Sequence, residues 1–169
     1  MTINSVTISA SITGKATAPA DLANIVANAG LAAALSFTDG AAASQVQAIF
    51  ADTRSINASS NESLDLNGGG LLDVLGAAFN LTKLKAIMVK AAGNNPENVV
   101  VSRPASNGVP FLDAAGDSHS IAPGGVMLLA RPDAAGWTVT ADTGDLIGIA
   151  NGGSGGAVSY SILLIGATS

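Results

Sequence analysis

Asp117-Ser-His-Ser-Ile-Ala-Pro-Gly-Gly-Val-Met-Leu-Leu-Ala-Arg-Pro132, Gly136-Trp-Thr-Val-Thr140, Gly144-Asp-Leu-Ile-Gly-Ile-Ala-Asn151 and Ala157-Val-Ser-Tyr-Ser-Ile-Leu-Leu-Ile-Gly166 decide the fold. Each is a short apolar or alternating run, and clusters of Gly, Pro, Asn and Asp separate them. Strand-sized runs at this regular spacing predict an antiparallel sandwich or barrel.

Upstream the same signals recur. Val99-Val-Val is β-branched and strand-forming. Leu84 to Val89 predicts a buried strand flanked by lysines, with Lys83 and Lys85 sharing its solvent face. Gly93-Asn-Asn-Pro predicts a turn, and Asn107-Gly predicts a hairpin. Val46 to Arg54 and Ile56 to Leu66 read as strands, the first imperfectly alternating. Leu71 to Phe79 leaves room for a helical turn. Gly152-Gly-Ser-Gly-Gly lies between two strands and predicts a flexible hairpin tip; it opens onto no helix, so it is no phosphate cradle.

At the N-terminus Val6, Ile8, Ala10 and Ile12 alternate with Thr7, Ser9, Ser11 and Thr13, a strand that Gly14 ends. Leu22, Ile25, Val26 and Ala29 then fall at helical spacing, with Pro19 at the start and Gly30 at the end, and predict a short helix or irregular crossing. Leu31 to Phe37 predicts a strand closed by Asp39-Gly40. The expectation is an all-β chain: an N-terminal strand or arm over residues 1–15, then one antiparallel, jelly-roll-like β-sandwich over 16–169, with at most one or two short helices.

Composition narrows the function. The chain has 169 residues, enough for one domain with a real core. Only 11% are charged, against about 25% in an average protein. Such a chain leaves weakly polar surface exposed as a monomer, which predicts an assembled protein. The formal net charge is −5, and the few basic residues form no footprint for nucleic acid. There are no cysteines, hence no disulfide or thiolate site. The N-terminal residues lack the pattern of a signal peptide, and no apolar run approaches the ~18 residues of a membrane span, so synthesis in a cytoplasm is expected. Asn57-Ala-Ser and Asn80-Leu-Thr match the glycosylation pattern but carry little meaning without a secretory signal.

Asn61-Glu-Ser-Leu-Asp-Leu-Asn-Gly-Gly-Gly-Leu-Leu-Asp-Val-Leu-Gly76 is followed by Lys85-Ala-Ile-Met-Val-Lys90, Asn98-Val-Val-Val101, Ile121-Ala-Pro-Gly-Gly125, Gly136-Trp-Thr-Val-Thr140, Gly144-Asp-Leu-Ile147 and Tyr160-Ser-Ile-Leu-Leu-Ile-Gly-Ala167. In that order, over roughly residues 45–168, these motifs resemble a family of small tailed-bacteriophage structural proteins. The resemblance lies in the order of elements, and the first 40 residues match least well. It implies a β-rich virion component present in many copies, most simply a capsid decoration or cement protein, and it carries over no catalytic residues. Its implied partners are the major capsid protein or other virion subunits. The low charge content and the alanine- and glycine-rich surface add further copies of the chain itself, with a homotrimer as the expected state.

Residues that could carry chemistry point to ordinary roles. His119 is the only histidine, whereas a cupin or zinc hydrolase needs two or three imidazoles. Asp117-Ser-His-Ser holds triad letters, but neighbours in a turn cannot form triad geometry. Asp113 with Asp117, or Asp142 with Asp145, could offer oxygens to calcium, yet neither has the spacing of a helix-loop-helix site. Asp52 and Arg54 point the same way from one strand and predict a surface ion pair, or one made across subunits. Trp137 is expected to seal the sandwich core rather than stack on a sugar, and with Tyr160 it is one of the two large aromatic hydrogen bonders. No catalytic, cofactor or metal residues are therefore expected. A carbohydrate-binding jelly-roll module of a head or spike protein is the alternative to shell decoration.

Overall fold

The structure, a computed structural model, describes residues 2–169. Twelve strands run along the chain: β1 (Val6–Pro19), β2 (Asn24–Asp39), β3 (Gln45–Val46), β4 (Ala48–Ile56), β5 (Asn61–Asp65), β6 (Lys83–Ala91), β7 (Val99–Ser102), β8 (Ser118–Ile121), β9 (Val126–Ala130), β10 (Trp137–Thr138), β11 (Leu146–Asn151) and β12 (Val158–Ala167). Among the described residues there is no helix.

The body is a sandwich of antiparallel sheets. One sheet has the order β10-β6-β12-β4, with β9 also on β6; the other has the order β5-β11-β7-β8. With the two-residue β10 set aside, the pairs are nested: β4 with β12, β5 with β11, β6 with β9, and β7 with β8. Alternation dictates which residues meet between the sheets. Val158, Tyr160, Ile162 and Leu164 of β12 and Ile87, Val89 and Ala91 of β6 point inward, against Val99, Val101, Ile147 and Ile149 of the other sheet. At about 25 cal/mol per Å² of apolar surface, this layer supplies the main drive to fold. Phe50 and Phe79 meet at 5.5 Å between ring centroids at one edge of it.

Several local expectations fail for identifiable reasons. The helix expected over Leu22 to Ala29 is a hairpin tip followed by β2. β1 does not stop at Gly14 or residue 15; it runs to Pro19 and pairs with β2 in unbroken register, from Val6↔Phe37 to Pro19↔Asn24. Alanine explains both misreadings: the odd residues from Ile25 to Phe37 are all apolar, but Val26, Ala32 and Ala34 between them blur the alternation that β1 shows plainly. The helical turn allowed at Leu71–Phe79 is a loop closed by a Leu72↔Ala78 bridge, in which the Asp73 carboxylate accepts from the amides of Leu75 and Ala77. Asn107-Gly is not a hairpin tip. It lies inside the long β7–β8 loop, with Asn107 at φ 62° and its carbonyl accepting from Asp145 and Leu146. The glycine-rich segment 152–156 joins β11 to β12, which lie in different sheets, so it crosses the sandwich edge instead of turning a hairpin.

Lys85 is the sharpest reversal. It is fully buried, while Lys83 is half-buried. The β6–β12 register slips between Ile165 and Gly166, leaving Lys85 as the extra residue of a β-bulge. The Arg131–Gly136 turn folds over its stem, and its ammonium donates to the Asp133 carbonyl. Burial lowers the Lys85 pKa, partly opposed by Asp133. Gly166 is required here, because a Cβ would collide with the Lys83 carbonyl and the Leu81 side chain.

Candidate assembly surface

The β1–β2 ribbon is where sequence becomes surface. Cross-strand partners share a face, so alternation gives the ribbon two unlike sides. One side carries Thr7, Ser9, Ser11, Thr13 and Lys15 of β1 opposite Ser36, Ala34, Ala32, Gly30 and Asn28. The other is apolar from root to tip: Val6/Phe37, Ile8/Leu35, Ala10/Ala33, Ile12/Leu31, Gly14/Ala29, Ala16/Ala27 and Ala18/Ile25.

Only the root of that apolar side is covered. Phe37 is fully buried, and Val6, Ile8 and Leu35 pack with it against Ala86, Ile165, Ile49 and Ala130 on the outer face of the β4-β12-β6-β9 sheet. The root is also tied by the Ile3 amide on Asp39 Oδ1 at 3.1 Å, and by short parallel pairing of β2 with β3. From Ser9 to Ala34 every residue is exposed. Ile12 and Leu31 are 79% and 76% exposed, and Leu22 at the tip is wholly so. The free length, about ten residue pairs at ~3.3 Å each, projects roughly 35 Å. A lone two-stranded ribbon is marginal in water, and this one leaves an apolar side uncovered.

The outer sheet face beside the root is laid out in rows by strand register. Ile49, Ile165, Ala86 and Ala130 form the row under the root. Two residues along each strand, Ala51, Leu163, Met88 and Leu128 form the next row. Leu163 and Met88 are 40% and 39% exposed there. The following row turns polar at Thr53, Ser161 and Lys90, with exposed Val126 at its β9 end. A groove lies between the second row and residues Val6–Ser9 of β1.

The residues that sequence reading weighed for chemistry are scattered. His119 lies exposed on β8, not in a loop or turn. Asp117 is exposed and accepts from the Ala114 amide at 2.7 Å; Asp113 is exposed beside it, and its carbonyl accepts from Arg103. Asp145 is buried and accepts from the Asp142 amide at 2.7 Å. Asp142 itself is an exposed turn residue at φ 63°. Trp137 is half-buried and packs against the edge of the main core.

Asp52 and Arg54 do pair, at 2.9 Å and within one chain. Sequence reading missed the third member. Glu62 of β5 takes Arg54 at 2.6 Å on one carboxylate oxygen and the Tyr160 hydroxyl at 2.9 Å on the other. This chain links the two sheets at an open edge of the sandwich. Burial works against the Arg54 cation, but the Glu62 pairing more than offsets it, and the Arg54 pKa is raised. Burial, then the Glu62 hydrogen bond, pushes the Tyr160 phenol far above its usual range. The even parity of Phe50, Asp52, Arg54 and Ile56 was a signal that this pair faces inward.

Searches against protein families, curated proteins and solved structures find no match to this chain.

Proposed function

We propose that this chain is a structural subunit of a tailed-bacteriophage virion, of the capsid decoration or cement type, acting in many copies through its projecting ribbon. The observation that carries the reading is the ribbon: a long, uncharged apolar face, anchored at its root and uncovered beyond it. A protein that acts alone has no use for such a face, whereas a subunit that ties a shell together does. The order of motifs from Asn61 to Ala167 resembles small phage structural proteins, and the physical reading runs the same way. The nested strand pairing supports assigning the sandwich to the jelly-roll architecture that viral shell domains share. Affinity in this role comes from summed interface and multivalency, so no single reactive residue is needed. The partners are the major capsid protein and further copies of this chain, with a trimer as the proposed closed assembly. Trp137 packs its ring against the core, which leaves the alternative, a carbohydrate-binding module, without an evident stacking platform.

Gel densitometry of purified virions that encode this chain tests the proposal. Copy numbers matching the shell lattice are the expected result. Absence from the particle, or a handful of copies per particle, would overturn shell decoration.

A further inference from the structure

We infer that the groove beside β1 receives the ribbon of a second copy of this chain, so that each subunit offers an arm and a seat. This rests on the multi-copy reading above and specifies its contact. The floor of the groove is Leu128, Met88 and Leu163, bordered by Ala86 and Ile165 of the row under the root. Its wall is β1 from Val6 to Ser9.

The occupant follows from what already sits one row away. The chain's own pairs Val6/Phe37 and Ile8/Leu35 cover the row Ile49, Ile165, Ala86 and Ala130 of this same sheet face. The distal pairs, Ala10/Ala33 and Ile12/Leu31 foremost, repeat that apolar chemistry and are bare. The next row repeats the floor chemistry and is half bare. Neither surface contains an ionisable group, so closing one on the other buries no charge. A two-stranded ribbon is ~10 Å wide and the three floor strands β9, β6 and β12 span about 10 Å, so one ribbon fills the groove.

The wall adds direction. β1 is the terminal strand of its own sheet, so its outer edge has unpaired amides and carbonyls. A ribbon laid apolar side down in the groove brings a strand beside that edge, where main-chain hydrogen bonds can form as in strand addition. Ala10, Ala33, Gly14 and Ala29 allow close approach of ribbon to floor. The contact is heterologous, arm to seat, and closes into a ring when every copy gives and receives one arm.

Two full-length variants test this, Leu163→Asp in the seat and Leu31→Asp on the arm. Both positions are exposed in the single chain, so each variant should keep the wild-type melt. Sedimentation velocity should show wild type associating and each variant alone weakened on the order of a hundredfold or more. An equimolar mixture should restore a two-chain species, since the intact arm of the Leu163→Asp chain still fits the intact seat of the Leu31→Asp chain. Wild-type association by the Leu163→Asp chain would overturn the inference, and so would failure of the mixture to associate. Either result leaves the virion reading standing, with the arm engaged elsewhere. A wild-type chain that stays monomeric at every concentration would also overturn it, while copy number on particles judges the virion reading separately.

Discussion

Replacing residues 9–34 by a two-residue Asn-Gly turn joins Ile8 to Leu35 and removes the free ribbon while keeping its root. Every residue removed is exposed, and none belongs to either buried cluster. The body should therefore lose no more than about 0.5 kcal/mol, the range of ordinary surface changes. Association should respond very differently. Ile12, Leu31 and Ile25 are 79%, 76% and 62% exposed, and burying such side chains is worth about 1.5–3 kcal/mol each at full effect. Three of them at roughly two-thirds of that amount to about 5 kcal/mol per arm, more than three decades in a dissociation constant. Circular dichroism melts and sedimentation of the shortened chain read the two effects separately. An unchanged melt with lost association, or lost binding to shells, is expected. A large fall in melting temperature would show that the ribbon serves the chain's own core. Undiminished association would show that its apolar face is not the joint.

The remaining predictions concern the body. Phe37→Ala empties a fully buried site where the ribbon meets the sheet and should cost about 3–5 kcal/mol in denaturant unfolding. Tyr160→Phe removes the hydroxyl that donates to Glu62 and should cost about 1.5–3 kcal/mol, with the fold retained by circular dichroism. Tyr160 is the only tyrosine, and its pKa is raised in the folded state. Its contribution to stability is therefore complete below the ordinary tyrosine pKa of about 10 and is lost as pH rises above it. Phenolate absorbance should accordingly appear only together with unfolding. Gly166→Ala drives a Cβ into the Lys83 carbonyl at the bulge and should destabilise by about 1–3 kcal/mol, measured by thermal melt.

The sandwich was legible because its inward residues are large and β-branched. Val99, Val101, Ile147, Ile149, Ile162 and Leu164 announce their faces by alternation alone. The ribbon was half legible. β1 alternates with strong contrast, Val and Ile against Thr and Ser, whereas β2 sets Ile25, Ala27, Ala29, Leu31 and Ala33 against Val26, Asn28, Gly30, Ala32 and Ala34, where contrast is weak. Helical spacing then matched Leu22, Ile25, Val26 and Ala29 equally well, and only the pairing partner decides between the two. Lys85 was illegible for a related reason. A bulge shifts parity by one, and what causes it, Gly166, lies about 80 residues downstream on a strand whose register no local pattern fixes.

The seat for the arm lies beyond sequence reading altogether, and its cause is topological. Ala51, Met88, Leu128 and Leu163 come from β4, β6, β9 and β12, and each looks alone like an ordinary outward residue of a half-buried strand. Nested pairing brings the first and last of these strands together and sets the other two beside them. Register then aligns four unremarkable positions into one apolar row. The same holds for Glu62, which reaches Arg54 eight residues away and Tyr160 ninety-eight residues away only because β5 crosses to the second sheet. Under the many-copy role proposed above, such rows supply the contact, since shape and apolar area are what it uses.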